Sequence, residues 1–405
     1  MIDIVAAAKE MGLFVIVVDR DPSSPAKRFA DLALNISTGE IDLLERKCRE
    51  EGVDAIFTGF EDYNIHVARE LCDRLKLPFY ATKEQLACVT NKLYFKQQCK
   101  RYGVPIIEQY TLLEALDRGK YPYIVKPADS YGSRGITVCR NADELINGHQ
   151  KAEEVSSSHT AVIERFIDYD HGVELFYTIV NGNIHLTVTA DRYTVRNEET
   201  TVPLPIAEVF PSRHRSELRE RLDPSIRKML KGLGIQNGLV LIQALYDGQG
   251  DYFVYEMAYR FTGEQHYRLV ERQRGVKLSH MMLKAALGEP ISEYDSALLD
   301  EAYFEKPSIN LALVLKPGKI KRITGLSSVF QIDEVISYNL THGDGDEIAA
   351  SGDYSQMLIR VNMVAENYEK LCRAVEQVDR YVTVESEDGE DMLAAHFRCP
   401  SDCGR

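Results

Sequence analysis

Two short stretches of the chain carry residue types that could do chemistry. In the first, Lys126 closes the apolar run Tyr123-Ile124-Val125, and a glycine- and serine-bearing loop follows, Tyr131-Gly132-Ser133-Arg134-Gly135. Glycines let backbone N–H groups come close to phosphate oxygens, and Ser133 adds a hydroxyl donor. A lysine at the end of an apolar strand needs a partner, which a phosphate would supply; a solvated strand-end lysine beside an ordinary loop is the competing reading. In the second stretch, Leu239–Tyr246 and Tyr252–Met257 flank Asp247-Gly248-Gln249-Gly250 as a hairpin. With a four-residue loop Tyr246 pairs with Asp251 and Gln243 with Val254, so Gln243 and Glu256 share one sheet face. An amide oxygen and a carboxylate there suit Mg²⁺, a hard ion with oxygen ligands. An exposed polar face is the alternative, and a one-residue change of register would undo the pairing.

The elements around these residues follow a regular order. Helical patterns end at Gly12 and Gly52, and short apolar runs Leu13–Val18 and Ala55–Thr58 read as strands between them. Tyr63–Leu75 reads as a helix and Leu77–Tyr80 as a short edge. Short apolar strands separated by helices predict a doubly wound parallel sheet. Such a domain should open on a strand, whereas this chain opens inside a helix; a start upstream of Met1, another segment that fills the gap, or a reduced sheet that closes up would each account for it. Glu84–Tyr102 is predicted as one helix, and Thr160–Phe166, Val173–Val180 and Ile184–Ala190 as strands, the last two joined by an Asn181-Gly182 turn. Residues from Arg192 to about His214 are polar and proline-bearing and predict a mobile flap. From Pro307 to Met392 the pattern is β-rich.

Composition narrows the function classes. The 405 residues are 44% hydrophobic and 27% charged, which fits a globular chain of two to four domains at roughly 100–200 residues each. No run approaches about 18 consecutive apolar residues, so no transmembrane helix is expected. The net charge of −14 argues against a general nucleic-acid or anionic-membrane binder, but leaves room for a small anionic ligand in a local basic pocket. Six of the eight cysteines lie scattered in amphipathic or apolar segments and read as buried thiols of a cytoplasmic protein. Cys399 and Cys403 near His396 form a weak zinc pattern in a short tail.

Taken in order, Lys92, the Lys126 strand with its glycine loop, Glu164-Arg165-Phe166-Ile167 with Glu174, and the Gln243–Glu256–Arg260 hairpin resemble the ATP-grasp superfamily, in its carbamoyl-phosphate-synthase-like and biotin-carboxylase-like branch. The most specific matches are Ile124-Val125-Lys126-Pro127 with Gly132–Gly135, and Tyr255-Glu256-Met257-Ala258-Tyr259-Arg260 with Gly263. The resemblance implies an α/β fold: a Rossmann-like domain (1–83) apparently lacking its first strand, an ATP-grasp core (84–290), a β-rich capping domain (291–392) and a tail (393–405). It also implies ATP and Mg²⁺ (or Mn²⁺) as cofactors. Lys92 and Lys126 would hold phosphates, Gly132, Ser133, Arg134 and Gly135 would cover them, and Glu164, Arg165, Phe166 and Ile167 would form the adenine hinge. Glu174 would bind the ribose, Gln243 and Glu256 the metal, and Arg260 the carboxylate substrate or its acyl phosphate.

The implied reaction is ATP-dependent joining of a carboxylate to an amine or ammonia through an acyl phosphate, on a small and anionic metabolite. The expected partners are small-molecule substrates, with neither nucleic acid nor membrane, and the expected assembly is compatible with a homodimer. The family pattern Glu-x-Asn-x-Arg is broken at Ala258, which has no ligand atom, so a nucleotide-binding protein with little or no ligase turnover is the alternative. Glu264 could compensate if its loop folds back. Arg260, Arg268, Arg272 and Arg274 form a local basic cluster, and Glu61 with Asp62 could hold an amine or simply cap a helix. His266 is a candidate base or a satisfied loop histidine.

Overall fold

The computed structural model describes residues 1–129, 135–168, 171–195, 204–351 and 354–400. The N-terminal segment contains α1 (Ile2–Glu10), the strands β1 (Ile16–Val18) and β2 (Leu32–Leu34), and helices α2 (Ile41–Glu50) and α3 (Asp62–Leu75). β1 and β2 pair in parallel, Ile16 opposite Leu32, as a two-stranded sheet. The expected wider doubly wound sheet is therefore reduced among the described residues: Ala55–Thr58 and Leu77–Tyr80 join no ladder. The chain after Ile56 docks sideways instead. Phe57 meets the Phe261 ring edge-on at 5.8 Å, and the Phe60 N–H donates to the Phe261 carbonyl at 3.0 Å.

The predicted single helix over 84–102 is two helices, α4 (Lys83–Thr90) and α5 (Lys92–Tyr102). Asn91 adopts extended backbone (φ −114°, ψ 102°), and its side chain accepts from the Tyr94 N–H at 2.9 Å. An asparagine competes well for the orphan amides at a helix start, so it ends one helix and caps the next. That break sets Lys92 in the first turn of α5. The chain continues through β3 (Gln109–Tyr110), α6 (Leu112–Arg118), β4 (Tyr123–Pro127), β5 (Thr137–Cys139), α7 (Ala142–Val155) and β6 (Ala161–Arg165). These strands form a four-stranded sheet in the order β3-β6-β4-β5. Leu145 and Ala152 of α7 bury one of its faces together with Tyr123, Val125 and Cys139.

The largest sheet has eight strands. It contains β7 (His171–Val180), β8 (Asn183–Val195) and β9 (Leu204–Phe210); after helices α8 (Arg215–Arg221) and α9 (Asp223–Gly232) come β10 (Gly238–Tyr246) and β11 (Tyr252–Ala258). Helices α10 (His266–Arg274) and α11 (Leu278–Leu287) lead into β12 (Ser308–Val314), β13 (Gly318–Thr324), the short α12 (Leu326–Val329), β14 (Val335–Leu340), β15 (Glu347–Ile348), β16 (Met357–Val364), α13 (Tyr368–Tyr381) and β17 (Thr383–Ser386). The sheet order is β11-β10-β7-β8-β9-β12-β16-β14.

Two expectations change here. The flap predicted from Arg192 to His214 is largely sheet: β8 runs to Val195, and every residue of β9 is buried. Hydrogen bonds to β8 and β12 on either side satisfy this backbone despite the polar side chains, and residues 196–203 lie outside the described ones. The second concerns position 290, which is no break in the sheet, because β12, β14 and β16 extend the sheet begun by β7. Among the described residues after 290, β13, β15 and β17 form a separate three-stranded sheet. A buried apolar cluster joins Ala207 and Val209 of β9 to Leu371, Val375 and Val378 of α13, which ties the last hundred residues to the core.

Candidate active site

The small sheet positions the lysines. Glu164 on β6 lies opposite Ile124, so it shares a face with Lys126 two residues along β4. Lys126 Nζ contacts Glu164 Oε2 at 2.7 Å, and Lys96 Nζ, arriving from α5, contacts Oε1 at 2.8 Å. Glu164 is 1% exposed. Burial alone would raise its pKa, but Lys126 and Lys96 hold it down to about 2, so it is a buried anion shared by two cations. Lys92 stands close enough to feel Lys126 and Glu256; burial lowers its pKa while Glu256 opposes that. At the far end of the glycine loop, Gly135 has φ +78°, and a Cβ there would meet Pro127 Cγ at 2.7 Å. Glycine is required at that point. Gly132, Ser133 and Arg134 lie outside the described residues.

The hairpin of the large sheet brings the oxygen-bearing side chains Gln243 and Glu256 together by a route that the sequence does not show. Tyr246 pairs with Tyr252 rather than Asp251, a shift of one residue that would have put Gln243 opposite Tyr255. A bulge between Gln243 and Ala244 takes up Tyr255 as an extra residue and restores Gln243 to a direct pairing with Glu256. The two side chains share a face by compensation of two irregularities. Tyr255 O–H donates to Gln243 Oε1 at 3.2 Å, and Lys126 Nζ sits 6.0 Å from the Tyr255 ring centre, which brings the two sheets together at this point. Glu256 is exposed.

Glu174 takes a different place from the one expected. It lies directly opposite Gln243 in the sheet, accepts from Gln243 Nε2 at 2.7 Å, and is fully enclosed. A ribose ligand needs an accessible carboxylate, so the structure sets Glu174 in the interior of the metal-candidate face instead. Arg165 lies with its guanidinium 5.2 Å from the Phe253 ring, and Ile167 is buried; the Glu164 backbone is paired in the sheet with both Gln109 and Ile124.

Four charged residues that the sequence reading passed over or only touched complete this interior. Glu208, Glu264, Arg192 and Arg360 surround Glu174, and Arg192 Nε is 3.4 Å from Glu174 Oε1. Burial, then the charge of Glu264, pushes Glu174 up to about 7; burial and the charge of Glu174 push Glu208 well above the ordinary carboxylate range. Glu264, also buried, is nonetheless held below its ordinary value, with Arg360 the strongest stabilising charge. A Cβ on Gly263 would come within 3.3 Å of Arg360 Nη1, so glycine gives that guanidinium its room. Asn310 Nδ2 donates to the Glu264 carbonyl at 2.6 Å and to Asn362 Oδ1 at 2.8 Å, anchoring the loop on β12 and β16. Charged residues inside apolar strands, Glu208 in β9 and Arg360 in β16, were the signal available, since a buried charge demands a partner.

The basic cluster does not converge. Arg260 grips Asp62 with both Nε and Nη2, at 2.5 and 3.0 Å, and so links the active-site face to α3. Arg268 pairs with Asp3 at 3.3 Å, Arg274 donates to the Leu298 and Thr187 carbonyls, and Arg272 is exposed. Glu61 caps α3 through the Tyr63 and Asn64 amides. His266 is buried with its ring centre 4.1 Å from that of Phe176, and burial lowers its pKa to about 3.

Residues 92–294, just over half of the chain, match the family described as carbamoyl-phosphate synthase L chain, ATP binding domain. Over 352 residues the chain is 26% identical to biotin carboxylase 1 of Bacillus subtilis (strain 168), covering 78% of this chain and 76% of that one. It is 25% identical over 312 residues to the 2-oxoglutarate carboxylase small subunit of Hydrogenobacter thermophilus, covering 71% of this chain and 64% of that one. Among solved structures, an L-amino acid ligase from Bacillus licheniformis superposes with a TM-score of 0.77 at 19% identity, covering 95% of each chain. Phosphoribosylglycinamide synthetase from Anaerococcus prevotii gives 0.73 at 18% identity, covering 96% of this chain and 97% of that one. The structural likenesses establish a shared fold, and the sequence match establishes descent: the chain belongs to the carbamoyl-phosphate synthase L chain ATP-binding domain family, within the ATP-grasp superfamily.

Proposed function

We propose that this protein is an ATP- and Mg²⁺-dependent ligase that joins a carboxylate to an amine or ammonia through an acyl phosphate. The observation that carries this reading is the meeting of two sets of groups: Lys126 and Lys96 balanced on Glu164, and the oxygen donors Gln243, Glu174 and Glu256 on the facing sheet, with Tyr255 between them. The donor set fits a hard cation. Glu174 Oε2 is buried with no hydrogen-bond partner, Glu256 is exposed and can reach a ligand, and Gln243 adds a neutral oxygen. Glu256 and Gln243 would hold Mg²⁺, with ionised Glu264 adding negative charge behind them and Glu174 ionising as the cation binds. When bound, the ion neutralises charge on the phosphate oxygens.

The chain's own residues account for the rest. Lys92 and Lys126 would hold the phosphates, the loop through Gly132–Gly135 would cover them, and backbone groups of Phe166 and Ile167, beyond the paired strand, would form the adenine hinge. Transfer of the γ-phosphoryl group from ATP to the substrate carboxylate breaks one P–O bond and forms another, releasing ADP. Attack by the amine then expels phosphate. This chemistry needs positioning and charge neutralisation rather than a covalent nucleophile. Arg260, steadied by Asp62, holds the carboxylate or its acyl phosphate, and the departing phosphate or solvent takes the proton that the amine loses. Arg260, 15% exposed in its side chain, is the cation offered to an anionic substrate, whereas Arg360 stays buried against Glu264. A homodimer is the proposed assembly, by analogy with the biotin carboxylase domain dimer solved from Hydrogenobacter thermophilus. Among the described residues no helix is long and apolar enough to cross a membrane, and a cytoplasmic location is part of the proposal.

Ala258 favours a second reading. It is buried at the β11 end, opposite Leu241, and offers no ligand atom. A nucleotide-binding protein with little turnover would look the same at this position. A screen of ADP release over amino acids and small dicarboxylates, with and without Mg²⁺, separates the two. Substrate-dependent release supports the ligase; nucleotide binding with no release across the panel supports the second reading.

A further inference from the structure

The sheet face opposite the candidate active site carries a second cluster. Along β7, Glu174 and Phe176 point to one side, while His171, Val173 and Leu175 point to the other, where Val173 and Leu175 bury against Leu222 and, on α9, Ile226 and Met229. Asp191 on β8 lies opposite Val173, on the same side as His171. His214, the residue preceding α8, completes the group. The ligand atoms of His171, Asp191 and His214 all lie within 4.8 Å of one another, and His171 and Asp191 are fully buried. We propose that these three residues form a binding site for a divalent ion of the zinc type, separate from the nucleotide site.

Four observations carry the proposal. The first is the donor chemistry: two imidazoles and a carboxylate suit a borderline ion such as Zn²⁺ and leave its fourth position open. The second is geometry. His171 Nε2 and His214 Nε2 are 3.0 Å apart, close to the roughly 3.3 Å that two nitrogens span around a tetrahedral zinc. Two ring nitrogens at that distance share a proton, and a divalent ion can take the proton's place. The third is support around the ligands. Asp191 accepts from Ser212 O–H at 2.5 Å and from the Arg213 N–H at 3.1 Å, which fixes the carboxylate. Tyr193 and Tyr246 flank the imidazoles, with ring centres 5.5 Å from His171 and 4.5 Å from His214 respectively. The fourth is the cation already present. Arg213 Nη2 is 3.0 Å from His171 Nδ1, Arg213 Nε is 3.3 Å from His214 Nε2 and 3.8 Å from Asp191 Oδ2. The cluster thus receives a positive charge from Arg213, which a metal ion would displace.

Arg213 therefore acts as an internal competitor, and this gives the test its sign. Metal-free full-length protein, carrying Cys399→Ser and Cys403→Ser to remove the tail thiols, is titrated with Zn²⁺ against a chromophoric chelator in excess Mg²⁺ and ADP. The expected result is one tightly bound Zn²⁺ per chain. His214→Ala should weaken binding at least tenfold, and Arg213→Gln should strengthen it. Bound Zn²⁺ should raise the thermal unfolding midpoint of the parent protein and of Arg213→Gln, but not of His214→Ala. His214 is half-buried, so its removal is the variant least costly to folding; circular dichroism checks each fold. Absence of stoichiometric binding in both the parent and Arg213→Gln, or equal affinity in the parent and His214→Ala, overturns the proposal.

Discussion

Glu164 is the residue on which the lysine side of the site depends. Removing its charge leaves Lys96, 4% exposed in its side chain, and Lys126 facing each other without a counter-ion. Glu164→Gln should cost about 3 kcal/mol or more of stability by urea denaturation, the usual penalty for an uncompensated buried charge. Its pH signature also has a definite sign. The folded-state pKa, about 2, lies below the ordinary 4.5, so Glu164 stabilises fully above about pH 4.5 and loses that effect as pH falls toward 2. Glu174 acts in the opposite sense. Its pKa is raised to about 7, so between about pH 4.5 and 7 the folded state binds more protons than the unfolded chain and stability declines as pH rises. Urea midpoints at pH 5.5 and 7.5 measure this, and Glu174→Gln should flatten the difference between them.

At the scale of elements, two local devices aim the side chains. Asn91 breaks what would be one helix and starts another, which sets Lys92 beside Lys126 and Glu256. Asn91→Ala should destabilise the protein by about 1 kcal/mol and raise the KM for ATP, while Asn91→Ser should recover most of both. The bulge at Tyr255 is the second device. Alternation along β10 and β11 was legible in the sequence, but Gln243 and Glu256 share a face only because the bulge offsets the longer loop. The loop holds five residues, 247–251, rather than four, and neither it nor the bulge shows in the sequence, because an extra strand residue leaves no mark in a pattern of polar and apolar types. The Arg192–His214 segment failed for a related reason. Its polar side chains suggested solvent, whereas Glu208 is buried and Arg192 largely covered because they meet Arg360 and Glu174 from distant strands. Lys126, Gln243 and Glu256 could be found from local pattern; the partners of Glu174 could not, because Glu264 and Arg360 lie 90 and 186 residues away along the chain.

The whole molecule joins these pieces across three chain segments. Asp62, from the N-terminal segment, fixes Arg260 at the end of β11, and the loop after it is held by Asn310 and Asn362 on strands that sequence reading assigned to another domain. Asp62→Asn should therefore reduce turnover more than it reduces nucleotide affinity, measured as kcat against KM for ATP. Arg260→Lys should not restore it, because an ammonium cannot reproduce the two-point grip. The same reach explains why the N-terminal segment keeps only two paired strands yet still contacts the site: Phe57 and Phe60 rest on Phe261.

The central claim is that Lys126 and the Gln243–Glu256 face act together to activate a carboxylate with ATP. Its most direct test is Mg²⁺-dependent ADP release on adding a carboxylate and an amine, measured for the parent protein, Lys126→Ala and Glu256→Gln. The account predicts release that requires both substrates and falls by about a hundredfold or more in each variant. Equal release in the parent and Lys126→Ala would contradict it.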